Sequence, residues 1–427
     1  MSNDVGIVVI AVLMLGHLAI GLPLFVVLGV GSLSLILWTG TYSLSVLGEA
    51  PFQAMDNWAL LAMPLFILSG DIVSSGKMAK AIVGLGSALV GWVRGGLGMT
   101  TIAACFFFAG TSGSNAADTA AVGRIMIPRL VERGYPIDYA AALAAAGGCM
   151  GIIVPPSLMF IIYGVITSTS VGDLFIAGVL PGLVMAVLLC LAVYIEVRVR
   201  GIGGAPTLFS VKQLGRATWE CKYGLGAPAI ILGGIYSGVF TPTEAAAVAV
   251  VYCIVVELFI NRAIGWRDLG PLMARSGVIL GIIAPVIVFS LMFGEVIALL
   301  RLPEAIANTF LKYASGPNTF LLATMLLLLL VGCFMETIAA LIIVMPIMMP
   351  IVKAMGVDPV HYGVFVVCAL TVGFITPPVG LNLFVASAIS GRPYMAIAGR
   401  ILPLFFALVA ATTLVGWVPW LTLWFRG

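Results

Sequence analysis

Charged side chains are scarce in this chain of 427 residues. Asp, Glu, Lys and Arg together make up 9% of it, whereas a soluble protein carries about 25%. So few charges cannot cover a water-facing surface of the required size, which excludes a soluble globular protein. Hydrophobic residues make up 62% of the chain, and the surplus apolar surface has to face lipid. The composition therefore predicts an all-α, polytopic membrane protein embedded in the bilayer.

Residues that bind transition metals are also rare. The chain has two histidines, His17 and His361, and its seven cysteines occur singly. No His/Cys cluster has the spacing of a zinc site, so we expect no transition metal. The net charge of +3 is small and scattered, which argues against a nucleic-acid partner. We do not expect an enzyme because no intramembrane catalytic motif is present, although Asp118 and Glu336 leave a pair of carboxylates as an alternative.

Apolar runs of membrane-spanning length follow one another along the chain. A spanning helix needs roughly 20 apolar residues, so about eleven spans fit. We divide the chain into N-terminal scaffold helices at 1–57, a first repeat at 58–200, a cytoplasmic loop with linking helices at 201–270, and a second repeat at 271–427. The first repeat opens with an amphipathic arm from Lys77 to Arg94, expected to lie along the membrane surface. A second amphipathic segment carries Glu304 and Lys312.

Each repeat is predicted to contain a re-entrant hairpin. The apolar segment 97–128 is interrupted by the Gly/Ser-rich run Gly110–Asn115, and the segment 318–350 is interrupted between Gly332 and Thr337. Each half is too short to cross a bilayer alone. Non-helical backbone at membrane depth is tolerated only where protein or a wet cavity surrounds it. Both segments therefore fit hairpins that return to the side they entered from.

A broken helix follows each hairpin. Pro155-Pro156 interrupts the segment 137–170, and Pro377-Pro378 interrupts 359–390. Consecutive prolines remove two backbone donors and push the preceding residue out of helical geometry. The two proline pairs are 222 positions apart, and the same offset relates Pro128 to Pro350, Ser168 to Ser390 and Pro181 to Pro403. This register predicts an internal repeat.

The positive charges predict how the repeats are oriented. With the spans threaded as above, the 20 Lys and Arg fall on one face except for Arg301, Lys312, Lys353 and Arg426. The positive-inside rule makes that face cytoplasmic. The first hairpin then enters from the cytoplasm and the second from the periplasm, so the repeats are inverted.

Inverted repeats with hairpins and broken helices are typical of secondary transporters. A helix interrupted at mid-membrane presents free N–H groups at one half and free carbonyls at the other. The N–H ends attract an anionic substrate, and the carbonyls with Ser, Thr and Asn oxygens coordinate Na⁺. A channel is a weaker alternative, because hairpins from opposite faces indicate two gates rather than a continuous pore.

Four motifs resemble one family of transporters. They are Gly110-Thr-Ser-Gly-Ser-Asn-Ala-Ala-Asp118, Gly148-Cys-Met-Gly-Ile-Ile-Val-Pro-Pro-Ser157, Phe240-Thr-Pro-Thr-Glu-Ala-Ala246 and Gly373-Phe-Ile-Thr-Pro-Pro-Val-Gly380. Together they resemble the large membrane subunit of tripartite ATP-independent periplasmic (TRAP) transporters, from about residue 5 to the end of the chain. The resemblance implies an elevator-type, Na⁺-driven importer of a small organic anion, a carboxylate or sulfonate, in a bacterial or archaeal inner membrane.

The resemblance also implies two protein partners. One is a small four-helix membrane subunit, which we expect to be a separate chain, and the other is a periplasmic binding protein that delivers the substrate. A stand-alone Na⁺-coupled dicarboxylate symporter, which shares inverted hairpins and proline breaks, is the alternative.

The family's sites carry over onto both hairpin tips. The sodium-binding residues implied are Ser112, Gly113, Ser114 and Asn115 with Gly151 and Pro155 for one ion, and Met335, Glu336 and Thr337 with Thr371, Thr376 and Pro377 for the other. The substrate-binding residues implied are Ser114, Asn115, Ser157, Thr337, Pro378 and Asn382. Glu336 stands where the family more usually has an aspartate. The positive charge that meets the anion is left open between helix ends, bound Na⁺ and a residue such as Arg124 or Arg129.

Overall fold

Helices joined by short turns make up the described part of the chain. The computed structural model describes residues 9–10, 12–14, 16–17, 20–40, 48–49, 52, 56, 58–203, 209–301 and 316–426. Parts of the predicted scaffold region 1–57, and the segment with Glu304 and Lys312, lie outside these residues. The helices are α1 Leu24–Thr39, α2 Ala62–Ser75, α3 Met78–Val90, α4 Gly96–Ser112, α5 Asn115–Glu132, α6 Ile137–Gly148, α7 Leu158–Thr167, α8 Val171–Arg200, α9 Val211–Glu220, α10 Lys222–Tyr236, α11 Pro242–Ile254, α12 Trp266–Leu299, α13 Pro317–Phe334, α14 Thr337–Ala354, α15 Pro359–Gly373, α16 Leu381–Ser390, α17 Tyr394–Trp417 and α18 Trp420–Leu423.

Six helical segments of the described residues are long and apolar enough to cross a membrane. They are Trp58–Ser75, Val171–Arg200, Pro242–Ile260, Trp266–Leu299, Thr337–Ala354 and Tyr394–Trp417. Large apolar side chains such as Ile195 and Phe406 are exposed on them, as expected for surfaces that face lipid. The prediction of an all-α, multi-pass membrane protein is confirmed. The number of eleven spans stays a prediction.

The two hairpins have tips of two residues each. In hairpin 1, formed by α4 and α5, the tip is Gly113-Ser114, and in hairpin 2, formed by α13 and α14, it is Met335-Glu336. Gly113 has φ +62°, and an added Cβ would lie 3.3 Å from Leu158 Cγ. A residue with a left-handed backbone conformation and so little room for a side chain has to be glycine.

The two broken helices contain the proline pairs. Broken helix 1 consists of α6, a 3₁₀ turn at Cys149–Ile152, the break and α7, and broken helix 2 consists of α15, the break and α16. The Pro155–Pro156 and Pro377–Pro378 peptide bonds are both cis. Because one helix ends before each proline pair and another begins after it, each break leaves a helix C-terminus and a helix N-terminus inside the protein.

The broken helices cross each other at their middles. Cys149 Sγ lies 3.6 Å from the carbonyl oxygen of Thr371, a residue 222 positions away. That offset is the repeat offset, so the two residues are each other's equivalents. Nearby, the Asn382 side-chain amide donates to the Ala145 carbonyl oxygen at 3.1 Å. Equivalent residues meet in this way where a two-fold pseudo-axis passes between two repeats.

Ion pairs join the opposite ends of the broken helices. Arg392, which follows α16, donates from Nε to Asp138 Oδ1 at 2.5 Å in the first turn of α6. At the other end, Arg426 bridges Asp358 Oδ2 at 2.7 Å and Asp173 Oδ2 at 2.6 Å. Asp358 is the N-cap of α15, and Asp173 lies in the first turn of α8, just after α7. The beginning of each broken helix therefore lies beside the end of the other. The two broken helices are antiparallel, as inverted repeats require.

Helix α3, within the predicted amphipathic arm, begins against a buried carboxylate. Glu257 accepts hydrogen bonds from the backbone N–H groups of Lys77 at 3.1 Å and Met78 at 2.8 Å. A carboxylate at a helix N-terminus pairs with free N–H groups and with the positive end of the helix dipole. The beginning of the arm is thereby joined to the segment that follows α11.

Each hairpin closely approaches its broken helix at an equivalent glycine. A Cβ on Gly151 would lie 2.7 Å from the Ser114 carbonyl carbon and from Asp118 Oδ2, and a Cβ on Gly373 would lie 2.6 Å from the Gly332 backbone. Gly151 and Gly373 are also 222 positions apart. Both repeats therefore use an equivalent glycine, just before the break, to let backbone approach backbone.

We expect Gly151→Ala and Gly373→Ala to destabilise the protein. The added methyl group meets backbone atoms, which cannot rotate away, and overpacking of this kind typically costs about 1–3 kcal/mol. The measurement is the melting temperature of the purified protein in detergent. Gly281→Ala is the matched control, because Gly281 lies in a membrane helix with nothing within 4 Å of its Cβ position. Equal melting temperatures in all three variants would show that the contacts do not constrain the fold.

Candidate functional site

Both hairpin tips face one cavity of about 660 Å³. Residues 112–117 of hairpin 1 and 336–339 of hairpin 2 form part of its wall, and α2 and α12 form another part. The two tips belong to different repeats, so they are brought together by the antiparallel packing of the broken helices. The cavity is large enough for a small organic molecule.

A short network orders the tip of hairpin 1. The Ser112 hydroxyl donates to Asp118 Oδ1, and the backbone N–H of Ser114 donates to Ser112 Oγ at 3.3 Å. The Ser114 hydroxyl caps α5 by accepting from the backbone N–H of Ala117 at 3.5 Å. These bonds hold both serines and Asp118 at the N-terminus of α5, where the helix dipole favours negative charge.

Several buried oxygens at this tip have no hydrogen-bond partner among the described residues. They are Asn115 Oδ1, Asp118 Oδ2 and Thr119 Oγ1, on side chains that are 2%, 0% and 0% exposed. Leaving a buried polar atom unpaired costs about 1–3 kcal/mol. The cluster contains the oxygen ligands that a hard monovalent cation takes, so the residues present fit a Na⁺ site.

The tip of hairpin 2 is built differently. Glu336 is the N-cap of α14, and its Oε2 accepts from the backbone N–H groups of Ile338 at 2.8 Å and Ala339 at 3.2 Å. The hydroxyls of Thr337 and Thr371 are buried without a partner among the described residues. Glu336 thus has a structural role at the helix start while its side chain lines the cavity.

The remaining predicted sodium ligands lie close to the tips. A Cβ on Gly110 in α4 would lie 3.7 Å from the Pro155 carbonyl oxygen, and a Cβ on Gly332 would lie 3.1 Å from the Leu370 carbonyl oxygen. Cys333 Sγ lies 3.3 Å from the Thr376 carbonyl oxygen. Carbonyls of both breaks therefore lie against the hairpins. The assignment of all these residues to sodium sites, Met335 and Pro377 included, stays a prediction.

The predicted substrate residues divide into two groups. Ser114, Asn115 and Thr337 line the cavity, whereas Ser157, Pro378 and Asn382 are not among the described residues that line it. The Ser157 hydroxyl donates to the Ile152 carbonyl oxygen at 2.5 Å and accepts from the backbone N–H of Phe160 at 3.4 Å. The Asn382 amide donates to the crossing helix instead, as described above. Both side chains are fully buried.

Sequence reasoning missed the charged residues on the other wall. Asp71 and Arg275 line the cavity, while the charge distribution along the sequence placed Arg275 on the cytoplasmic face. Arg124 and Arg129, the cations considered for the anion, are exposed and are not among its lining residues. The available signal was the spacing of Arg275, Ile279, Ile283 and Val286, which puts all four on one face of α12.

Sequence comparison finds close similarity to one family. The family model described as "Tripartite ATP-independent periplasmic transporter, DctM component" matches residues 9–421. The C4-dicarboxylate TRAP transporter large permease protein DctM of Vibrio cholerae is 36% identical, covering 97% of this chain and 96% of that protein. The sialic acid TRAP transporter large permease protein SiaM of the same species is 34% identical, covering 96% of each.

A third relative is longer than this chain. The isethionate TRAP transporter permease protein DctMQ of Oleidesulfovibrio alaskensis is 35% identical, and the match covers 96% of this chain but 65% of that protein. Among solved structures, the YdaH transporter of Alcanivorax borkumensis has a TM-score of 0.61 at 16% identity, covering 90% of this chain and 88% of that one. At this identity the likeness concerns the fold alone.

We expect Thr371→Val to reduce stabilisation by Na⁺. Valine keeps the shape of threonine and removes a hydroxyl that a cation would bind. A ligand at 100 times its Kd stabilises a protein by about 2.7 kcal/mol, so exchanging K⁺ for Na⁺ at constant ionic strength should raise the melting temperature of the wild type more than that of the variant. Thr412→Val is the matched control, because Thr412 also has a buried hydroxyl without a described partner. An equal Na⁺ effect in both variants would contradict the site.

Proposed function

The chain belongs to the DctM component family of tripartite ATP-independent periplasmic transporters, and on this premise we propose that it imports a small organic anion in symport with Na⁺. The observation that carries the proposal is the cavity shared by the two hairpin tips. A substrate in this cavity contacts both repeats at once. The unpaired oxygens at the tips belong to the same few residues that border the cavity. Ion binding and substrate binding would therefore affect the same backbone segments, the hairpin tips.

Two groups of residues would hold the ions. At hairpin 1 they are Ser112, Ser114 and Asn115 with the carbonyls near Gly151 and Pro155, and Asp118 adds a carboxylate oxygen without a described partner. At hairpin 2 they are residues 335–337 with Thr371, Thr376 and Pro377. Bound Na⁺ supplies positive charge at the tips. The chain itself orients the tip oxygens through the Ser112–Asp118 bond and supplies helix N-termini that favour an anion.

An elevator movement is the proposed route between the two faces. Hairpins and broken helices contact each other through Gly151 and Gly373 with no room for a side chain, which supports their moving as one unit. On the other wall, Gly70 of α2 approaches the same tip, since an added Cβ would lie 2.8 Å from Ser112 Cα. We propose that this contact, between the moving unit and the rest of the chain, separates during transport.

The names of the relatives and the apolar walls of the cavity support a proposal for the substrate class. The relatives' names specify C4-dicarboxylate, sialic acid and isethionate, which are carboxylates and a sulfonate. We propose an anion of this kind for the present chain. We also propose two partners: a small membrane subunit, which the relatives' designation as large permeases supports, and a periplasmic binding protein that delivers the substrate.

The test is uptake into proteoliposomes that contain the chain with its small membrane subunit. Radiolabelled organic acids and sulfonates are tested, each with the binding protein encoded beside the transporter, with and without an inward Na⁺ gradient. We expect uptake only with both Na⁺ and the binding protein. Uptake that persists undiminished without Na⁺ would contradict the coupling. Uptake of equal rate without the binding protein would favour a stand-alone Na⁺-coupled dicarboxylate symporter.

A further inference from the structure

Three charged residues line the cavity among the described residues: Asp71, Arg275 and Glu336. Glu336 already accepts two backbone hydrogen bonds at the start of α14. Arg275 is therefore the one lining cation of the described part of the chain. A guanidinium carries five N–H donors in a planar fork that matches a carboxylate or sulfonate.

Arg275 is held loosely in this structure. Its nearest ion-pair contact joins Nε to Asp71 Oδ2 at 3.9 Å, longer than a hydrogen bond, and its side chain is 71% exposed against 13% for Asp71. Asp71 Oδ2 also accepts from Ser276 Oγ at 3.4 Å. An ion pair with an exposed partner contributes about 0–1 kcal/mol, so an anion can replace Asp71 beside the guanidinium at little cost.

The wall between Arg275 and the tips is apolar. Ile279, Ile283 and Val286 continue the same face of α12 along the cavity, so the guanidinium lies at one end of an apolar strip. A substrate with an acidic group and a small organic body is complementary to this arrangement, because the wall takes the body and the arginine takes the charge.

We propose that Arg275 binds the anionic group of the substrate in this cavity and that Asp71 competes with the substrate for it. Binding exchanges the Asp71 carboxylate for the substrate carboxylate or sulfonate, and release reverses the exchange. The pair then attracts an anion without holding it tightly. This inference rests on the proposed function, since it assigns the residue that meets the charge of the transported molecule.

Substitutions of Arg275 and of Asp71 should change the KM for substrate uptake in opposite directions. The probes are succinate and isethionate, each measured as Na⁺-dependent uptake in proteoliposomes with the small subunit and the corresponding binding protein. We expect Arg275→Gln to raise KM about tenfold or more, because the substrate loses a charge-assisted hydrogen bond. Arg275→Lys should have an intermediate KM. Asp71→Asn should lower both KM and Vmax, because the substrate then binds without a competitor and leaves more slowly. The Na⁺ concentration for half-maximal rate should not change.

Two controls separate substrate binding from folding. Arg267→Gln removes an exposed arginine from the first turn of the same helix, and its KM should equal that of the wild type. The double variant Asp71→Asn/Arg275→Gln removes both charges, so it leaves no unpaired carboxylate and should fold even where Arg275→Gln alone does not. A KM unchanged in this double variant, or lowered uptake shared equally with Arg267→Gln, would overturn the proposal.

A second readout does not depend on transport. Phenylglyoxal modifies accessible arginines, and mass spectrometry compares its labelling of Arg275 and Arg267 in the purified protein. Succinate or isethionate should protect Arg275 and leave Arg267 labelled, while neutral glycerol protects neither. Protection without Na⁺-dependent uptake would support the anion site and contradict the proposed function. Uptake without protection, and with an unchanged KM in Arg275→Gln, would contradict the anion site alone.

Discussion

An interrupted helix inside a membrane protein leaves backbone N–H and C=O groups without partners in their own helix, and lipid cannot pair with them. The protein around the two proline breaks has to satisfy or surround these groups. The hairpins, the antiparallel crossing of the broken helices and the shared cavity can all be understood from this requirement. Ser157 pairs with the Ile152 carbonyl at one break, and Cys333 lies against the Thr376 carbonyl at the other. Each break thus has polar contacts within its own repeat, and the crossing of the broken helices adds contacts from the other repeat.

The two repeats share a backbone plan but carry different polar groups. Gly151 and Gly373 have the same steric role, and Cys149 and Thr371 meet on the pseudo-axis. At the tips the repeats diverge, because hairpin 1 buries an aspartate, an asparagine and a threonine, whereas Glu336 of hairpin 2 caps its own helix. On the proposed function, such differences on a common frame allow two ion sites of unlike strength beside one substrate, without any change in how the helices pack.

The charges of the cavity are few and unevenly placed. The tips contribute helix N-termini and, on the proposed function, bound Na⁺, while the facing wall contributes the Asp71–Arg275 pair. An anion between the tips and the facing wall is attracted by the helix N-termini on one side and by Arg275 on the other. Arg275 is already paired with Asp71, so its attraction for the anion is partly offset. A transporter has to release its substrate as well as bind it, and a cation with a competing carboxylate is suited to both steps.

The positions of helix ends and hairpin tips along the chain, and its membrane environment, follow from the sequence alone. Proline pairs 222 positions apart, Gly/Ser-rich tips and the surplus of apolar residues act through local backbone geometry and solvation, so they predict helix ends, hairpins and a membrane environment before any packing is known. Which polar side chains face the cavity was decided only by the tertiary structure. From the sequence, Ser157 and Asn382 are as plausible substrate ligands as Ser114 and Asn115. In the structure, however, the side chains of Ser157 and Asn382 donate hydrogen bonds to backbone carbonyls and do not line the cavity. Asp71 and Arg275 become neighbours only because α2 and α12 pack together, and the periodicity of a helix predicts its faces but not which helix each face will meet.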